Sequence, residues 1–196
     1  MRKRLLITGF DAFGGDALNP SWLAVEQLPE QIGDYDLHKL RISTRFGYAA
    51  QQILEAADTI QPELILSVGL AGGRDSITPE RIAVNIRDAR IPDNGGFQPQ
   101  GTPVDPQGPA AYFSTVPVEK MAAAIRDAQI PASVSNTAGT FVCNDVLYTL
   151  LRHYADTNVR VGFIHVPRTP ALGSPALPLD TIVQGLTQAI LACSEA

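Results

Sequence analysis

The chain has 196 residues, 45% of them hydrophobic and 18% charged, which is ordinary for a folded soluble protein with a sizeable core. Its net charge of −5 and lack of any basic run argue against nucleic acid as a partner, and its two cysteines are too few for a disulfide framework. The apolar run after Met1-Arg2-Lys3-Arg4 stops at Asp11, too short for a signal-peptide core, and no stretch is long enough to span a bilayer, so the expected setting is a reducing cytoplasm without a membrane partner.

Arg4 to Gly9 reads as a buried strand that opens into the turn Phe10-Asp11-Ala12-Phe13-Gly14-Gly15, and the spacing predicts a helix over Ser21 to Leu28 with Asn19 or Pro20 at its start. The turn lacks both Gly-x-Gly-x-x-Gly and Gly-Lys-Ser/Thr, so it gives nucleotide binding little support. Phe10 and Phe13 sit where the chain leaves a sheet, where large aromatics either pack over the core or wall an apolar pocket. Tyr35 to Ser43 alternates as a strand, with His38 at its surface or edge. Thr44 to Ile60 follows as a helix with Phe46, Ala50, Ile53, Leu54 and Ala57 inward, ended by Pro62. Leu64 to Gly69 is a second buried strand opening into Leu70-Ala71-Gly72-Gly73-Arg74, and Ile82 to Ile86 is another strand with Glu80 near its start. Asp88 to Pro109 is rich in Pro, Gly, Asn and Gln and reads as one long loop, a length usually functional or disordered. Val118 to Gln129 is helical, with Met121 and Ile125 inward.

The stretch Ser133 to Asp145 reads as a strand, a small-residue turn and a helix whose first turn carries Cys143. A thiol there lies near the positive end of the helix dipole, which is expected to lower its pKa. Val159 to Pro167 is an apolar strand ending in His165, well placed to meet a cysteine at the start of a neighbouring helix. A lone cysteine in such a domain is equally read as a small buried hydrophobe. Ala171 to Leu179 is a proline-containing connector, and Asp180 caps a last helix that buries Cys193. The three histidines have no metal-ligand spacing with one another or with the cysteines, so no metal and no cofactor are expected. Alternating strands and helices indicate a single α/β domain over residues 1–196, an α/β/α sandwich around a mixed, mostly parallel sheet, with ligand sites at the carboxyl ends of the strands.

Read together, several motifs resemble the pyroglutamyl peptidase type I family, also called pyrrolidone-carboxylate peptidases. They are Thr8 to Gly15 with Asn19-Pro20, Gly72-Gly73-Arg74, Glu80 to Asn85, Asp88 to Asn94, Ser135 to Asn144 and Gly162 to Pro167. The resemblance implies a cytoplasmic cysteine peptidase that removes an N-terminal pyroglutamyl group from peptides. It implies a triad of Cys143, His165 and Glu80, with Arg90 as oxyanion donor, and a pocket of Phe10, Phe13, Thr44, Ile91, Phe141 and Val142. It also implies a homo-oligomer, tetramer or dimer. Leu70, Ala12 and Arg168 depart from the glutamine, proline and aromatic residue usual at those places. The alternatives are a non-catalytic binder of pyroglutamyl peptides, and a nucleoside- or phosphate-utilising enzyme on a related α/β architecture.

Overall fold

The computed structural model describes residues 2–194. A six-stranded sheet forms its centre. The strands are β1 (Lys3–Phe10), β2 (Gln31–Ile32), β3 (Tyr35–Ile42), β4 (Leu64–Leu70), β5 (Thr78–Pro79) and, set by its place in the chain, β8 (Arg160–Val166). Their order across the sheet is β2-β3-β1-β4-β8-β5. The inner four run parallel, while β2 and β5 lie antiparallel at the edges. β1 and β4 are buried almost throughout, as continuous apolar strands must be when both sheet faces are covered.

The period-two alternation of these strands feeds two separate cores. Leu5, Ile7, Leu64, Leu66, Val68, Ile164 and Val166 face one side, where α1 (Pro20–Gln27), α3 (Val118–Asp127) and α5 (Leu179–Ser194) pack. Leu6, Phe10, Ile65, Val161 and Phe163 face the other, against α2 (Tyr48–Ile60) and α4 (Val142–His153). The α/β/α layering follows directly. Cys193 lies fully buried in the first core.

Several elements differ from the expectation. The strand expected at the start of the Ser133–Asp145 stretch is not one; the chain runs beside β5 in isolated bridges, Ile77 with Ala132 and Glu80 with Ser135. Pro79 between them has no N–H to continue a ladder. The helix expected from Thr44 starts at Tyr48, because Thr44 is held by the Asp11 carboxylate and Gly47 has φ 70. The strand expected at Ile82–Ile86 is β6 (Ile82–Val84), which leaves the main sheet and pairs with β7 (Ala111–Phe113). The loop from Asp88 onward is tied down throughout: Arg87 and Thr102 exchange backbone hydrogen bonds, Asp88 N–H donates to the Thr140 carbonyl and Asn94 N–H to that of Thr44.

Candidate active site

β4 and β8 are neighbours in parallel register, with Gly69 opposite His165. Both residues lie on the sheet face covered by α4, since Phe163 two residues before His165 belongs to that core. Cys143 is the second residue of α4. The helix start descends onto Gly69, where an added Cβ would lie 2.9 Å from Cys143 Sγ and 2.8 Å from Phe163 Cζ. Only a glycine lets the sulfur come this close to the sheet. His165 packs on Phe163, ring centroids 4.8 Å apart.

Behind the imidazole, His165 Nδ1 lies 2.7 Å from Glu80 Oε1. Glu80 has no solvent exposure, and Arg74 donates to the same oxygen at 2.7 Å while its other terminal nitrogen donates to the Thr137 carbonyl at 2.9 Å. Burial alone would raise the Glu80 carboxyl, but contact with His165, and with Ser135 and Arg74, outweighs it and holds the group below its usual value. An ionised carboxylate only accepts, so Nδ1 carries the hydrogen and Nε2 is left as the free nitrogen.

The thiol differs from expectation. Burial pushes Cys143 up to about 12, and the negative charge of Glu80 adds to the rise; Arg74 and a backbone hydrogen bond oppose it. Its place at the helix start therefore does not lower the thiol: desolvation and the Glu80 charge outweigh Arg74 and the backbone hydrogen bond.

Cys143 and His165 line one cavity of about 290 Å³ with Phe10, Phe13, Thr44 and Phe141. Phe13 and Phe141 pack at a tilt with centroids 5.2 Å apart, and Phe46 supports Phe141 edge-on at 5.2 Å. Asp11 Oδ1 accepts from the Thr44 N–H at 2.8 Å, the Thr44 hydroxyl at 2.7 Å and the Asn94 amide at 3.1 Å, joining three segments at the rim. Directly after the cysteine, Asn144 bonds Val84 and Ile86, and Asp145 bonds Arg87 and the Gly47 N–H. These two buried polar residues fix the start of α4 against β6 and α2.

The sequence profile described as pyroglutamyl peptidase matches residues 3–196. The chain belongs to the pyroglutamyl peptidase family. The pyrrolidone-carboxylate peptidase of Levilactobacillus brevis is 50% identical over 196 residues, covering 96% of each chain. That of Lactobacillus johnsonii is 46% identical, covering 98% of this chain and 93% of the relative. The crystal structure of pyroglutamyl peptidase I from Bacillus amyloliquefaciens superposes with a TM-score of 0.97 at 41% identity, over 100% of this chain and 97% of that one. The enzyme is a cysteine-type hydrolase acting on pyroglutamyl peptides.

Not every residue expected in the site lies on this cavity. Val142 is fully buried in the core behind Phe141. Arg90 and Ile91 are exposed and line a neighbouring hollow that shares Phe13 and Leu70 with the first. Sequence reasoning missed Arg74, Asn19 and Thr137 on the wall. Arg74 had a signal, since a buried Glu80 requires a cation. Asn19 caps α1 by accepting from the Ser21 N–H, and its amide donates to the Asp11 carbonyl, a role its place before Pro20 implies. Among the described residues no group of three or more His, Cys, Asp or Glu is arranged to hold a metal, and no helix is long and apolar enough to cross a membrane.

Proposed function

We propose that Cys143, His165 and Glu80 form the catalytic triad that hydrolyses the bond after an N-terminal pyroglutamyl residue. The observation that carries the reading is the 2.7 Å contact of Glu80 with His165 Nδ1, which leaves Nε2 facing the cavity that Cys143 also lines. Cys143 Sγ attacks the pyroglutamyl carbonyl carbon as its proton passes to His165 Nε2. Glu80 orients the ring and stabilises the imidazolium. The tetrahedral oxyanion is met by the Cys143 N–H, which lacks an intrahelical partner at the start of α4; Arg90, on the adjacent hollow, is the second donor proposed and would have to turn toward the carbonyl. The C–N bond then breaks and the leaving amine takes the proton from His165, leaving a pyroglutamyl thioester. Water adds to the thioester carbonyl, giving its proton to His165. The C–S bond breaks and the sulfur recovers a proton, releasing pyroglutamate.

Burial holds the thiol above its ordinary value, so attack needs His165 as the base that takes its proton. The aromatic walls of Phe10, Phe13 and Phe141 suit a flat, uncharged lactam, and the Thr44 hydroxyl offers one polar group beside them. An open-chain glutamyl or glutaminyl residue would carry an ammonium group into a cavity whose walls offer no carboxylate. The chain is read as one catalytic domain working in the cytoplasm. Exposed Ile91, Phe97 and Phe113 support assembly with further copies of itself.

Release of a fluorescent amine from its pyroglutamyl amide, with prolyl and glutamyl amides as controls, tests the reading. Turnover confined to the pyroglutamyl compound and lost in Cys143→Ala supports it. Binding without turnover by the reduced, folded protein would instead favour a silent binder.

A further inference from the structure

We infer that Arg168 makes this enzyme select pyroglutamyl peptides that carry a carboxylate just beyond the scissile bond; the inference rests on the peptidase reading above. β4 and β8 leave the sheet side by side, with Leu70 opposite Val166 and the Ala71 N–H donating to the Val166 carbonyl at 2.9 Å. Arg168 and Gly72 therefore emerge together, just past His165. Here a second hollow of about 470 Å³ opens, sharing the Phe13 and Leu70 walls with the Cys143 cavity. With the lactam ring enclosed by Phe10, Phe13 and Phe141, the peptide beyond the scissile bond needs an open way out, and this hollow adjoins it.

The hollow carries two guanidinium groups, Arg90 and Arg168, against one carboxylate, Asp16. Among the described residues neither arginine is in an ion pair. Arg168 also lies close against the backbone of two glycines. A Cβ on Gly72 would lie 2.9 Å from its Nε and 3.1 Å from its Cζ, and one on Gly173 3.7 Å from its terminal Nη1. Its Nε is buried without a hydrogen-bond partner. With Nε turned into the protein against Gly72, the two terminal nitrogens, which have no hydrogen-bond or ion-pair partner among the described residues, are the donors left for a planar carboxylate in the hollow. That carboxylate comes either from an acidic side chain following pyroglutamate or from the free C-terminus of a short peptide; both present the same group to the hollow.

The test is steady-state hydrolysis of pGlu-Glu-Ala-amide, pGlu-Lys-Ala-amide, pGlu-Ala-Ala-amide and pGlu-Ala-Ala acid, with a pyroglutamyl coumarin amide as the uncharged reference. Wild type and Arg168→Met, which keeps the packed stem, are compared, with Arg168→Lys as a second variant. The wild type is expected to favour a carboxylate-bearing peptide over its lysine or amide counterpart by about tenfold in kcat/KM, chiefly through KM. Arg168→Met should erase that preference while cleaving the coumarin amide normally, and Arg168→Lys should keep part of it. Preference for pGlu-Glu-Ala-amide identifies a side-chain carboxylate; preference for the free acid identifies the C-terminus. Equal rates for all four peptides in wild type, or a preference unchanged in a variant that cleaves the coumarin amide, would overturn the inference alone. Failure of wild type to cleave the coumarin amide would overturn the peptidase reading and the inference with it.

Discussion

Gly69 and Cys143 are packed so closely that a single methyl group on Gly69 would sit 2.9 Å from the sulfur. The same methyl would meet the Phe163 ring at 2.8 Å, so neither neighbour can yield without moving the other. Gly69→Ala is expected to displace the thiol from the His165 side of the cavity. Misplacement of a nucleophile by a fraction of an ångström to an ångström costs about a hundredfold in kcat. Overpacking should lower stability by about 1–3 kcal/mol. Circular dichroism and amine-release kinetics on the same preparation read both effects.

Glu80 faces His165 and Arg74 with no water access, and its carboxyl is held below its usual 4.5. Such a group stabilises the fold fully above its unfolded pKa and loses that contribution as pH falls through the lower, folded value. Glu80→Gln removes the term. Wild type should therefore be more stable than the variant near neutrality, and the gap should close on acidification below about 4.5. Denaturant unfolding across that range measures it. The variant should also lose about 10²–10⁴-fold in kcat, since the imidazole loses its orienting acceptor.

Burial holds the Cys143 thiol neutral up to about 12 and that of Cys193 up to about 11, against 9.0 for a free thiol. Between 9.0 and those values the unfolded chain releases protons that the folded chain keeps, so stability falls as pH rises. Cys193→Ala should lessen the slope between 9.0 and about 11 in alkaline unfolding titrations. Iodoacetamide should still label Cys143 first, since Cys143 reaches a cavity while Cys193 is 0% exposed. Equal labelling by mass spectrometry would contradict this. Glu80→Gln, which removes a neighbouring negative charge, should lower the Cys143 pKa and speed its alkylation.

Asp11 Oδ1 gathers the Thr44 N–H, the Thr44 hydroxyl and the Asn94 amide. Asp11→Ala strips an acceptor from all three and leaves Asn94 tied to the β1 turn only through the Ala12 carbonyl. A stability loss of about 1–3 kcal/mol is expected, with KM for the pyroglutamyl amide raised more than kcat is lowered. Thermal unfolding and kinetics together check it.

The four inner strands and five helices were legible because their apolar residues repeat at two or at 3.6, and those periods survive in the two cores on either side of the sheet. Cys143 and His165 were legible as the start of a helix and the end of a strand. β2 and β5 were not, because each has only two residues, too few for any period. The pairing of β6 with β7 spans the whole Asp88–Pro109 loop, and nothing local in the sequence encodes a contact of that range. The direction of the Cys143 shift was misread because the dipole is a local feature, while the burial that defeats it comes from β4, β8 and the aromatic turn. Val142 was expected on the pocket and faces the core instead, since adjacent residues of a helix point to different sides.

The most direct test of the catalytic account is the kcat for pyroglutamyl amide hydrolysis in Cys143→Ala, His165→Ala and the double variant. Residues acting as one unit are non-additive. Each single change should cost about 10⁴-fold or more, with the double variant no slower than the worse single one. Turnover in Cys143→Ala within tenfold of wild type, or losses that multiply in the double variant, would contradict a thiol and an imidazole acting together.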